Sequence, residues 1–404
     1  MNRRHCLALV TAAALPCRLS AQDPMAPLET TLLKIAEDYL KERGIPGGQL
    51  ALGYRGKLVF SKGLGLADRD RGIAATPQTL FRIASISKPL TAAGILVLAE
   101  EGKLSLDARM LDVLKTDLFL PGGRKPDPRL KEITIRHLLQ HTGGWDRDRS
   151  GDVMFESRKI AKILGIVSPP GPADVIREAL GRPLDTDPGT HYAYSNFGYC
   201  ILGRILEQTG GMPYEKFVHE RVLRPAGISG PKQGATLTQA EGESRYYTPG
   251  DKEEGEPVFP GLPDKVPAPY GAWCLETMDS HGGWISCAGN IVRFAMSLDD
   301  IGGRSPFKQQ KTWETLITPP AGAPGHGPDG QPLPRSYGCG FGLRPGRNGI
   351  GITHSGSLPG TTTFVWKRAD GFTWAAFFNM RQDGGNKDAT VAASLNKALD
   401  ERAG

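Results

Sequence analysis

Residues 361–379 have the sequence TTTFVWKRADGFTWAAFFN, and this stretch decides the fold class that we predict for the chain. Two runs within it, Thr361–Lys367 and Thr373–Asn379, are alternating or continuously apolar and rich in residues that favour β-strands. Asp370-Gly371 between them is typical of a tight turn. The stretch therefore predicts a β-hairpin close to the C-terminus.

A second hairpin is predicted near the other end of the chain, where Gln49–Tyr54 and Lys57–Ser61 flank Arg55-Gly56. Elsewhere, apolar residues recur at helical spacing, and stretches rich in proline, glycine and charge predict long loops at Tyr246–Tyr270 and Thr318–Arg335. The segments predicted as helices are Leu32–Leu40, Leu90–Glu101, Arg136–Gln140, Ala173–Leu180, Phe197–Thr209, Tyr214–Leu223 and Asp388–Leu399.

A single sheet assembled from both ends of the chain explains this order better than two consecutive domains. We therefore predict an α+β fold, in which an antiparallel sheet is flanked by helices and an all-helical part is inserted. The expected sheet part covers about 22–84 and 290–404, and the helical part about 85–289. Together they form one domain over residues 22–404.

Length and composition favour a packed globular body. The 404 residues are 39% hydrophobic and 23% charged, which is typical of soluble domains. Glycine and proline number 52 and 32, a share below the roughly 25–30% that is typical of low-complexity disorder. Fibrous, collagen-like and polytopic membrane classes are therefore excluded.

The net charge of +6 reflects the N-terminus rather than a basic binding surface. Half of it comes from Arg3, Arg4 and Arg18, in a segment of 21 residues that contains no acidic residue. The rest of the chain carries mixed charge, with no cluster of five or more Lys/Arg and no zinc-finger or RNP pattern. We therefore expect no nucleic-acid partner.

Residues 1–21 have the three parts of a secretory signal. Arg3-Arg4 forms the charged part, Cys6–Leu15 is an apolar run too short to cross a bilayer of ~30 Å, and Leu19-Ser20-Ala21 fits a cleavage site. We predict a periplasmic or secreted protein with no transmembrane anchor in the mature chain. The arginine pair weakly resembles a twin-arginine signal, and an uncleaved N-terminal anchor is the alternative.

Neither cysteines nor histidines predict a metal site. His137 and His141 stand four residues apart, but the glutamate of H-E-x-x-H is missing, which favours structural histidines. The cysteines beyond residue 21 lack C-x-x-C spacing. We expect four separate buried thiols, and a Cys274–Cys287 disulfide is the alternative that export would permit. These cysteines are Cys200, Cys274, Cys287 and Cys339.

Ser85-Ile86-Ser87-Lys88-Pro89 is the first of three segments suited to chemistry. Proline is tolerated only in the first turn of a helix, so the helix containing Leu90–Glu101 must begin near Ser85. Lys88 lies about one turn further on, and its amine can reach the same face as Ser85. A hydroxyl needs a base to become a nucleophile, and burial lowers the pKa of a lysine that supplies one. An ordinary serine N-cap followed by an exposed lysine is the structural alternative.

Tyr194-Ser195-Asn196 and His354-Ser355-Gly356-Ser357 are the other two segments. Tyr194 precedes a predicted helix, and a charged Lys88 is expected to lower the pKa of Tyr194 from ~10 so that it acts as a general base. Gly356 lets a backbone approach a ligand closely, and the Ser357 N–H is expected to pair with that of Ser85 at a developing oxyanion. An aromatic residue packed at a helix start and a polar turn are the structural alternatives.

The order and spacing of these segments resemble one family. Ser-x-x-Lys, then Tyr-x-Asn about 110 residues later, then His/Lys-Ser/Thr-Gly near the end is similar to the pattern of certain serine hydrolases. They include class C β-lactamases, low-molecular-weight DD-peptidases, D-aminopeptidases and family VIII carboxylesterases. Residues 133–144, 282–286 and 337–342 also resemble segments of this family, so that the resemblance covers nearly all of residues 30–400. It implies a β-lactamase/transpeptidase-like fold with the site between the sheet and the helical part.

The resemblance also implies a role for each matched residue, with no metal or organic cofactor. Ser85 would be the acylated nucleophile, and Lys88 and Tyr194 would share the proton transfers. The implied oxyanion hole consists of the N–H groups of Ser85 and Ser357. Asn196 would contact both Lys88 and the substrate. The other implied substrate contacts are His354, Ser355 and Gly356. The substrate would be a small molecule or peptide with an ester or amide bond.

His354 departs from the class C β-lactamases, which have a lysine at this position, whereas family VIII esterases often have tryptophan. A fixed lysine charge helps to hold a β-lactam carboxylate, but a histidine with a pKa near ~6.5 is mostly neutral at pH 7. The sequence therefore favours an exported esterase or D-amino-acid peptidase, with a β-lactamase as the alternative. A non-catalytic penicillin-binding sensor or scaffold is the alternative of another class, and the presence of Ser85, Lys88 and Tyr194 together argues against it.

Overall fold

A computed structural model describes residues 25–123, 125–346, 348–382 and 389–403, and its main feature is an antiparallel sheet of eight strands. The signal predicted at residues 1–21 lies outside the described residues. The strands are β1 Gly47–Tyr54, β2 Lys57–Asp68, β3 Ile73–Ala74, β4 Phe81–Arg82, β5 Lys232–Gln233, β6 Glu254–Gly255, β7 Val266–Pro267, β8 Trp284–Ser286, β9 Ser336–Tyr337, β10 Gly342–Gly346, β11 Gly349–Leu358, β12 Thr361–Lys367 and β13 Phe372–Phe378.

Each helix predicted from the sequence has a counterpart in the structure. The predicted helix Tyr214–Leu223 divides into an α-helix and a π-helical segment at His219–Leu223, and Asp388 of the last predicted helix lies outside the described residues. The α-helices are α1 Ala26–Arg43, α2 Ser87–Glu100, α3 Met110–Val113, α4 Ile135–Leu139, α5 Arg147–Ser150, α6 Ser157–Leu164, α7 Pro172–Ala179, α8 Asn196–Gly210, α9 Tyr214–Val218, α10 Ala288–Ser297, α11 Gln310–Leu316 and α12 Ala389–Ala403.

The order of strands in the sheet, β3-β2-β1-β13-β12-β11-β10-β9, brings the two ends of the chain together. β1 pairs with β13 in antiparallel register, with Leu50 opposite Ala376. Both predicted hairpins are confirmed, because β1 pairs with β2 and β12 with β13. In the first turn, Arg55 and Gly56 have φ angles of 47° and 77°, and two consecutive positive angles are what a type I′ hairpin turn requires.

The two faces of the sheet are covered by different helices. Side chains alternate along a strand, so Leu50 and Leu52 of β1 join the cluster that contains buried residues of α1 and α12. Ala51 between them joins the cluster that contains residues of α10 and the inserted region. Because a fully buried leucine contributes roughly 1.5–3 kcal/mol, this alternation fixes the register of β1.

The region inserted between the two halves of the sheet is mainly helical, and it also contains short strands. β4, β8 and β5 form a three-stranded sheet, and β6 pairs with β7. Arg82, the last residue of β4, lies opposite Ile285 of β8. The small sheet therefore supports the chain three residues before Ser85.

Two of the expectations concern the cysteine thiols and membrane-spanning helices. The thiols of Cys200, Cys274, Cys287 and Cys339 are free, so that no disulfide joins Cys274 to Cys287. Among the described residues, no helix combines the length and the apolar character that crossing a bilayer demands.

Candidate active site

Ser85 lies at the sharp turn where β4 passes into α2. A 3-10 turn at Ala84–Ile86 leads directly into α2, so the helical structure begins near Ser85 as predicted. Ala84 has a φ of 47°, a left-handed conformation that costs a non-glycine residue roughly 1–2 kcal/mol. Residues 81–90 are otherwise buried, but Ser85 is partly exposed. The strained turn therefore leaves Ser85 partly exposed between buried neighbours.

Two threonines of β12 hold the segment that leads into Ser85. The Thr361 hydroxyl donates a hydrogen bond to the Arg82 carbonyl oxygen at 3.0 Å, and the Thr363 hydroxyl donates one to the Ile83 carbonyl oxygen at 2.9 Å. Both threonines are buried, and these bonds satisfy carbonyl groups that the turn leaves without a strand partner. These two bonds thereby anchor the turn before Ser85 to β12 of the large sheet.

Lys88 is completely buried one helical turn after Ser85. Its Nζ donates to Ser85 Oγ at 3.1 Å and to the His281 carbonyl oxygen at 2.9 Å. Burial holds the pKa of Lys88 well below its ordinary value, the carboxylate of Asp152 opposes this shift, and the positive charge of Arg147 adds to it. A neutral amine at this distance can accept the proton of the Ser85 hydroxyl.

Tyr194 lies at the entrance of α8, as predicted. Ser195 is the N-cap residue of this helix, and its hydroxyl accepts a hydrogen bond from the Gly198 N–H at 3.1 Å. The Tyr194 ring centroid is 4.8 Å from Lys88 Nζ, and the Ser85 side chain is close enough to Tyr194 to influence its pKa. The structure therefore brings Ser85, Lys88 and Tyr194 together.

The expectation that Lys88 lowers the pKa of Tyr194 is wrong. Burial raises the pKa of Tyr194 above its ordinary value, and the neighbouring Ser85 side chain and the charge of Arg147 only partly offset this effect. The reason is that a lysine kept neutral by burial contributes little positive charge to its neighbour. Tyr194 is therefore a protonated hydroxyl in the free site, and Lys88 is the stronger candidate for the base.

Asn196 does not make the predicted contact with Lys88. Its Nδ2 donates to the Asp152 carboxylate at 2.6 Å, and its Oδ1 is buried with no hydrogen-bond partner among the described residues. A carboxylate is a stronger acceptor for an amide N–H than a neutral group is, and the Lys88 amine is already engaged by Ser85 and the His281 carbonyl. The Oδ1 atom of Asn196 therefore has no hydrogen-bond donor among the described residues.

His354 is a neutral histidine held in one tautomer. Its Nδ1 lies 2.7 Å from the Ser355 carbonyl oxygen, which can only accept, so Nδ1 carries the proton. Its Nε2 lies 2.9 Å from Tyr337 Oη and accepts from that hydroxyl. Burial, helped by the neighbouring Lys88, lowers the pKa of His354 to about 3. His354 therefore brings no positive charge to the site at pH 7.

β11 carries the third predicted segment along the edge of the cleft. In the described part of the chain, β10 pairs with β11 only as far as Gly342 opposite Thr353, so residues 354–358 have no partner strand on that side. Ser357 lies opposite Thr362 of β12. A cavity of about 560 Å³ is lined by Tyr194, His354 and Ser355, which places the second and third segments around one space.

Gly356 lies where β11 contacts the turn before Ser85. A Cβ atom on Gly356 would lie 2.3 Å from both the Ile83 carbonyl oxygen and Thr363 Oγ1, and 3.0 Å from the Ala84 Cβ atom. No real Cβ atom fits at such distances. Glycine is therefore required here because the strand and the turn are in direct backbone contact.

His141 is a structural histidine, as the sequence favoured. Its Nδ1 accepts a hydrogen bond from the Ser195 N–H at 3.1 Å, and its ring centroid is 4.4 Å from that of Tyr194. It therefore positions the entrance of α8. Among the described residues, no three His, Cys, Asp or Glu side chains form a group that could hold a metal ion.

Sequence reasoning missed two charged residues of the site, Asp152 and Arg147. Asp152 binds Asn196 and influences Lys88, and the Arg147 guanidinium lies 4.7 Å from the Tyr194 ring centroid. Both belong to the α5 region, whose sequence WDRDRSGD has ordinary helix-capping chemistry and no motif. Only the tertiary contacts of Asp152 with Asn196 and of Arg147 with Tyr194 show their place in the site.

Comparisons with known proteins agree with the family resemblance found in the sequence. A family model described as "Beta-lactamase" matches residues 32–399. Esterase EstB of Burkholderia gladioli is 30% identical over 275 residues, which are 65% of this chain and 64% of the esterase. Penicillin-binding protein 4 of Amycolatopsis lactamdurans is 29% identical over 64% of this chain and 61% of that protein. The chain thus spans about two thirds of these relatives.

A solved structure shows that the fold is shared. The D-amino acid amidase of Ochrobactrum anthropi SV3 superposes with a TM-score of 0.70, covering 94% of this chain and 100% of the amidase at 22% identity. At this identity the likeness concerns the fold alone. It confirms the predicted α+β fold of the β-lactamase/transpeptidase type.

Proposed function

The chain belongs to the Beta-lactamase family, whose members include serine hydrolases, and on this premise we propose that it hydrolyses an ester or amide through an acyl-enzyme on Ser85. The hydrogen bond of 3.1 Å between Lys88 Nζ and Ser85 Oγ is the observation that carries the proposal. Complete burial of this lysine favours its neutral form. The site thus places a partly exposed hydroxyl next to a base.

The acylation step that we propose begins from the hydrogen bond between Lys88 and Ser85. Ser85 Oγ forms a bond to the substrate carbonyl carbon while its proton passes to Lys88 Nζ, and the carbonyl oxygen becomes an oxyanion. The carbon–leaving-group bond then breaks, and the leaving group takes up a proton through the hydroxyl of Tyr194. Because Tyr194 is protonated in the free site, it can donate this proton and recover it from Lys88.

Water completes the reaction. A water molecule attacks the acyl carbon and transfers a proton to the Lys88 and Tyr194 pair, the bond from the acyl carbon to Ser85 Oγ breaks, and Ser85 recovers its proton. We assign the oxyanion hole to the backbone N–H groups of Ser85 and Ser357, which typically contribute ~3 kcal/mol each in such sites. The packing of Gly356 against the turn before Ser85 supports this assignment.

The neutral His354 supports an ester or D-amino-acid amide over a β-lactam as the preferred substrate. A lysine at this position would give the fixed charge that holds a β-lactam carboxylate, but His354 has a pKa of about 3 because it is buried. We therefore expect kcat/KM for short 4-nitrophenyl esters or D-alanyl peptides to exceed that for nitrocefin. Steady-state kinetics with all three substrates tests this, and faster turnover of nitrocefin would contradict it.

Gly356→Ala tests the contact between β11 and the turn before Ser85. The added methyl group has no space, so β11 must move away and shift the Ser357 N–H by about 1 Å, a displacement that can cost roughly 100-fold in rate. We expect kcat/KM for 4-nitrophenyl butyrate to fall by that factor.

Gly346→Ala is the matched control for this substitution. A Cβ atom at Gly346, in β10, meets only the Gly349 carbonyl oxygen at an ordinary 3.6 Å, and we expect its kcat/KM to stay within about twofold of the unmodified protein. Equal rates for the two variants would show that the close contact of Gly356 is unimportant for catalysis.

The predicted export of the mature chain remains a separate proposal.

A further inference from the structure

Arg82 lies three residues before Ser85 and is completely buried, and residues of the inserted region surround its guanidinium group. The group donates hydrogen bonds to the carbonyl oxygens of Pro269 at 2.8 Å and Ala235 at 3.0 Å. The Glu243 carboxylate lies 3.8 Å from its Nε atom. Because a buried charge is costly unless it is paired and hydrogen-bonded, these contacts hold the end of β4 against the inserted region.

Tyr246 connects this buried charge to the backbone that leads into Ser85. Its hydroxyl accepts a hydrogen bond from the Arg82 N–H at 2.7 Å and donates one to the Glu243 carboxylate at 2.8 Å. The Arg82 guanidinium carbon lies 4.3 Å from the Tyr246 ring centroid. The Tyr246 N–H donates to the Tyr270 hydroxyl at 2.7 Å. The tyrosine is therefore held by its ring, its hydroxyl and its backbone N–H.

Tyr246 also contacts the turn that follows Ser357. Pro359-Gly360 forms this turn, which joins β11 to β12. A Cβ atom on Gly360 would lie 2.7 Å from the Tyr246 Cβ atom and 2.8 Å from Pro269 Cγ, which is closer than any real Cβ atom approaches. The turn after Ser357 is therefore in direct contact with Tyr246.

The long loop that the sequence predicts at Tyr246–Tyr270 begins and ends at this contact. The ring centroids of Tyr246 and Tyr270 are 6.4 Å apart, and the chain between them contains β6 and β7, which pair with each other. The Arg82 guanidinium carbon lies 5.6 Å from the Tyr270 ring centroid. Loops of this length in compact domains are usually functional or disordered, and both ends of this one are fixed next to the site.

Both segments that supply the proposed oxyanion hole thus meet at Tyr246. The Ser85 N–H lies three residues after Arg82, and the Ser357 N–H lies three residues before Gly360. Such donors must lie about 2.7–3.1 Å from the developing oxyanion, and a displacement of about 1 Å can cost roughly 100-fold in rate. A residue that contacts both segments can set the distance between the two donors.

We infer that Tyr246 is a positioning residue for the acyl transfer, and that it fixes the separation of the Ser85 and Ser357 N–H groups through its contacts with Arg82 and Gly360. The inference rests on the proposed hydrolysis and adds a residue to the same site. Because the oxyanion forms only after the carbonyl is attacked, weaker support should lower kcat and leave KM nearly unchanged.

Tyr246→Phe tests the contact with Arg82, because it keeps the ring and removes only the hydroxyl. The Arg82 N–H then loses its acceptor, and the turn before Ser85 is free to shift. A shift of about 0.5 Å corresponds to a loss of roughly tenfold in rate. We expect kcat for 4-nitrophenyl butyrate to fall by that factor, with KM within about twofold of the unmodified protein.

Tyr247→Phe is the matched control, because the adjacent tyrosine makes the same contacts in another place. Its hydroxyl accepts from the Arg69 N–H at 2.7 Å, and the Arg69 guanidinium carbon lies 4.4 Å from its ring centroid. Arg69 follows β2, which two strands separate from β12 in the sheet. Both variants should lose a similar amount of thermal stability, but kcat of Tyr247→Phe should stay within about twofold.

A pair of glycine substitutions tests the second contact of Tyr246. Gly360 and Gly56 both lie in hairpin turns, with φ angles of 81° and 77°, so alanine is equally strained at the two positions. Only the methyl group at position 360 meets Tyr246, since a Cβ atom on Gly56 has no neighbour within 4 Å. We expect kcat to fall at least about tenfold in Gly360→Ala and to stay within about twofold in Gly56→Ala.

Inhibition by propylboronic acid separates the geometry of the site from the stability of the fold. Ser85 Oγ forms a bond to boron while its proton passes to Lys88, and the tetrahedral adduct places a boron-bound oxygen where the oxyanion would lie. A mimic of this kind senses the transition-state geometry. Its inhibition constant should therefore rise in Tyr246→Phe and Gly360→Ala by about the factor by which kcat/KM falls, and should stay unchanged in the two controls.

The outcomes are distinct. Full kcat in both Tyr246→Phe and Gly360→Ala would overturn the inference and leave the proposed hydrolysis intact. Equal losses of kcat in each variant and its control would also overturn it, because lost stability or backbone strain would then be the cause. If one variant fails to fold, the other pair decides. Absence of ester turnover by the unmodified protein would reject the proposed hydrolysis, and the inference with it.

Discussion

Replacing Ser85 by alanine is expected to lower kcat/KM for 4-nitrophenyl butyrate by at least about 100-fold, because the covalent route through the serine oxygen is lost. The substitution removes one oxygen from a partly exposed position, so the fold should be retained. The residual rate would come from substrate binding and the oxyanion-hole donors. Initial rates of 4-nitrophenol release at fixed pH provide the measurement.

Ser87→Ala is the matched control for this prediction, because it removes a hydroxyl from the same short segment. Ser87 is buried, and its Oγ accepts a hydrogen bond from the Trp284 N–H at 3.2 Å rather than facing the cleft. Its loss should cost about 1 kcal/mol of stability with little effect on kcat. Equal catalytic loss in Ser85→Ala and Ser87→Ala, or none in either, would remove Ser85 from the mechanism.

Lys88→Met is expected to produce a loss of similar size, because methionine keeps the length and the apolar stem but cannot accept the Ser85 proton. Lys88 is completely buried, and an apolar side chain is suited to that position. We expect kcat/KM for 4-nitrophenyl butyrate to fall at least about 100-fold. Circular dichroism at the assay temperature would check that the variant is folded.

The pH profile gives Lys88→Met a second readout. Burial disfavours the charged amine and so holds the pKa of Lys88 well below its ordinary value. The amine is therefore neutral, and able to act as a base, above that lowered pKa. The rate of the unmodified protein should rise with pH through the lowered pKa, and this rise should be absent from the residual rate of Lys88→Met. A variant that keeps both the rate and the rise would exclude Lys88 as the base.

The fold was largely predictable because its deciding features are local. Asp370-Gly371 and Arg55-Gly56 are recognisable turns between strand-like runs, and both hairpins form. The geometry of Ser85 and Lys88 also follows locally, since Pro89 fixes where the helix begins. The short strands β4, β5 and β8 have only two or three residues each, and their pairing depends on contacts between distant segments, which sequence patterns do not show.

The electrostatics of the site were less predictable because burial and distant neighbours decide them. The pKa of Tyr194 is raised and not lowered, since its own burial outweighs nearby charges. Asn196 binds Asp152 rather than Lys88, and Asp152 belongs to a segment with no recognisable motif. The structure therefore brings Ser85, Lys88 and Tyr194 together as the resemblance implied, but one implied contact between matched side chains is wrong, and the roles of these residues stay predictions.

The central claim is that Ser85 is the nucleophile, and covalent labelling tests it most directly. A fluorophosphonate should form one bond between phosphorus and Ser85 Oγ with loss of fluoride, and the phosphonate ester formed resists hydrolysis. Intact-protein mass spectrometry followed by peptide mapping should then show one phosphonyl group on the peptide containing Ser85 and none in Ser85→Ala. An adduct on another residue, or ester hydrolysis that persists with Ser85 unlabelled after treatment, would contradict the claim.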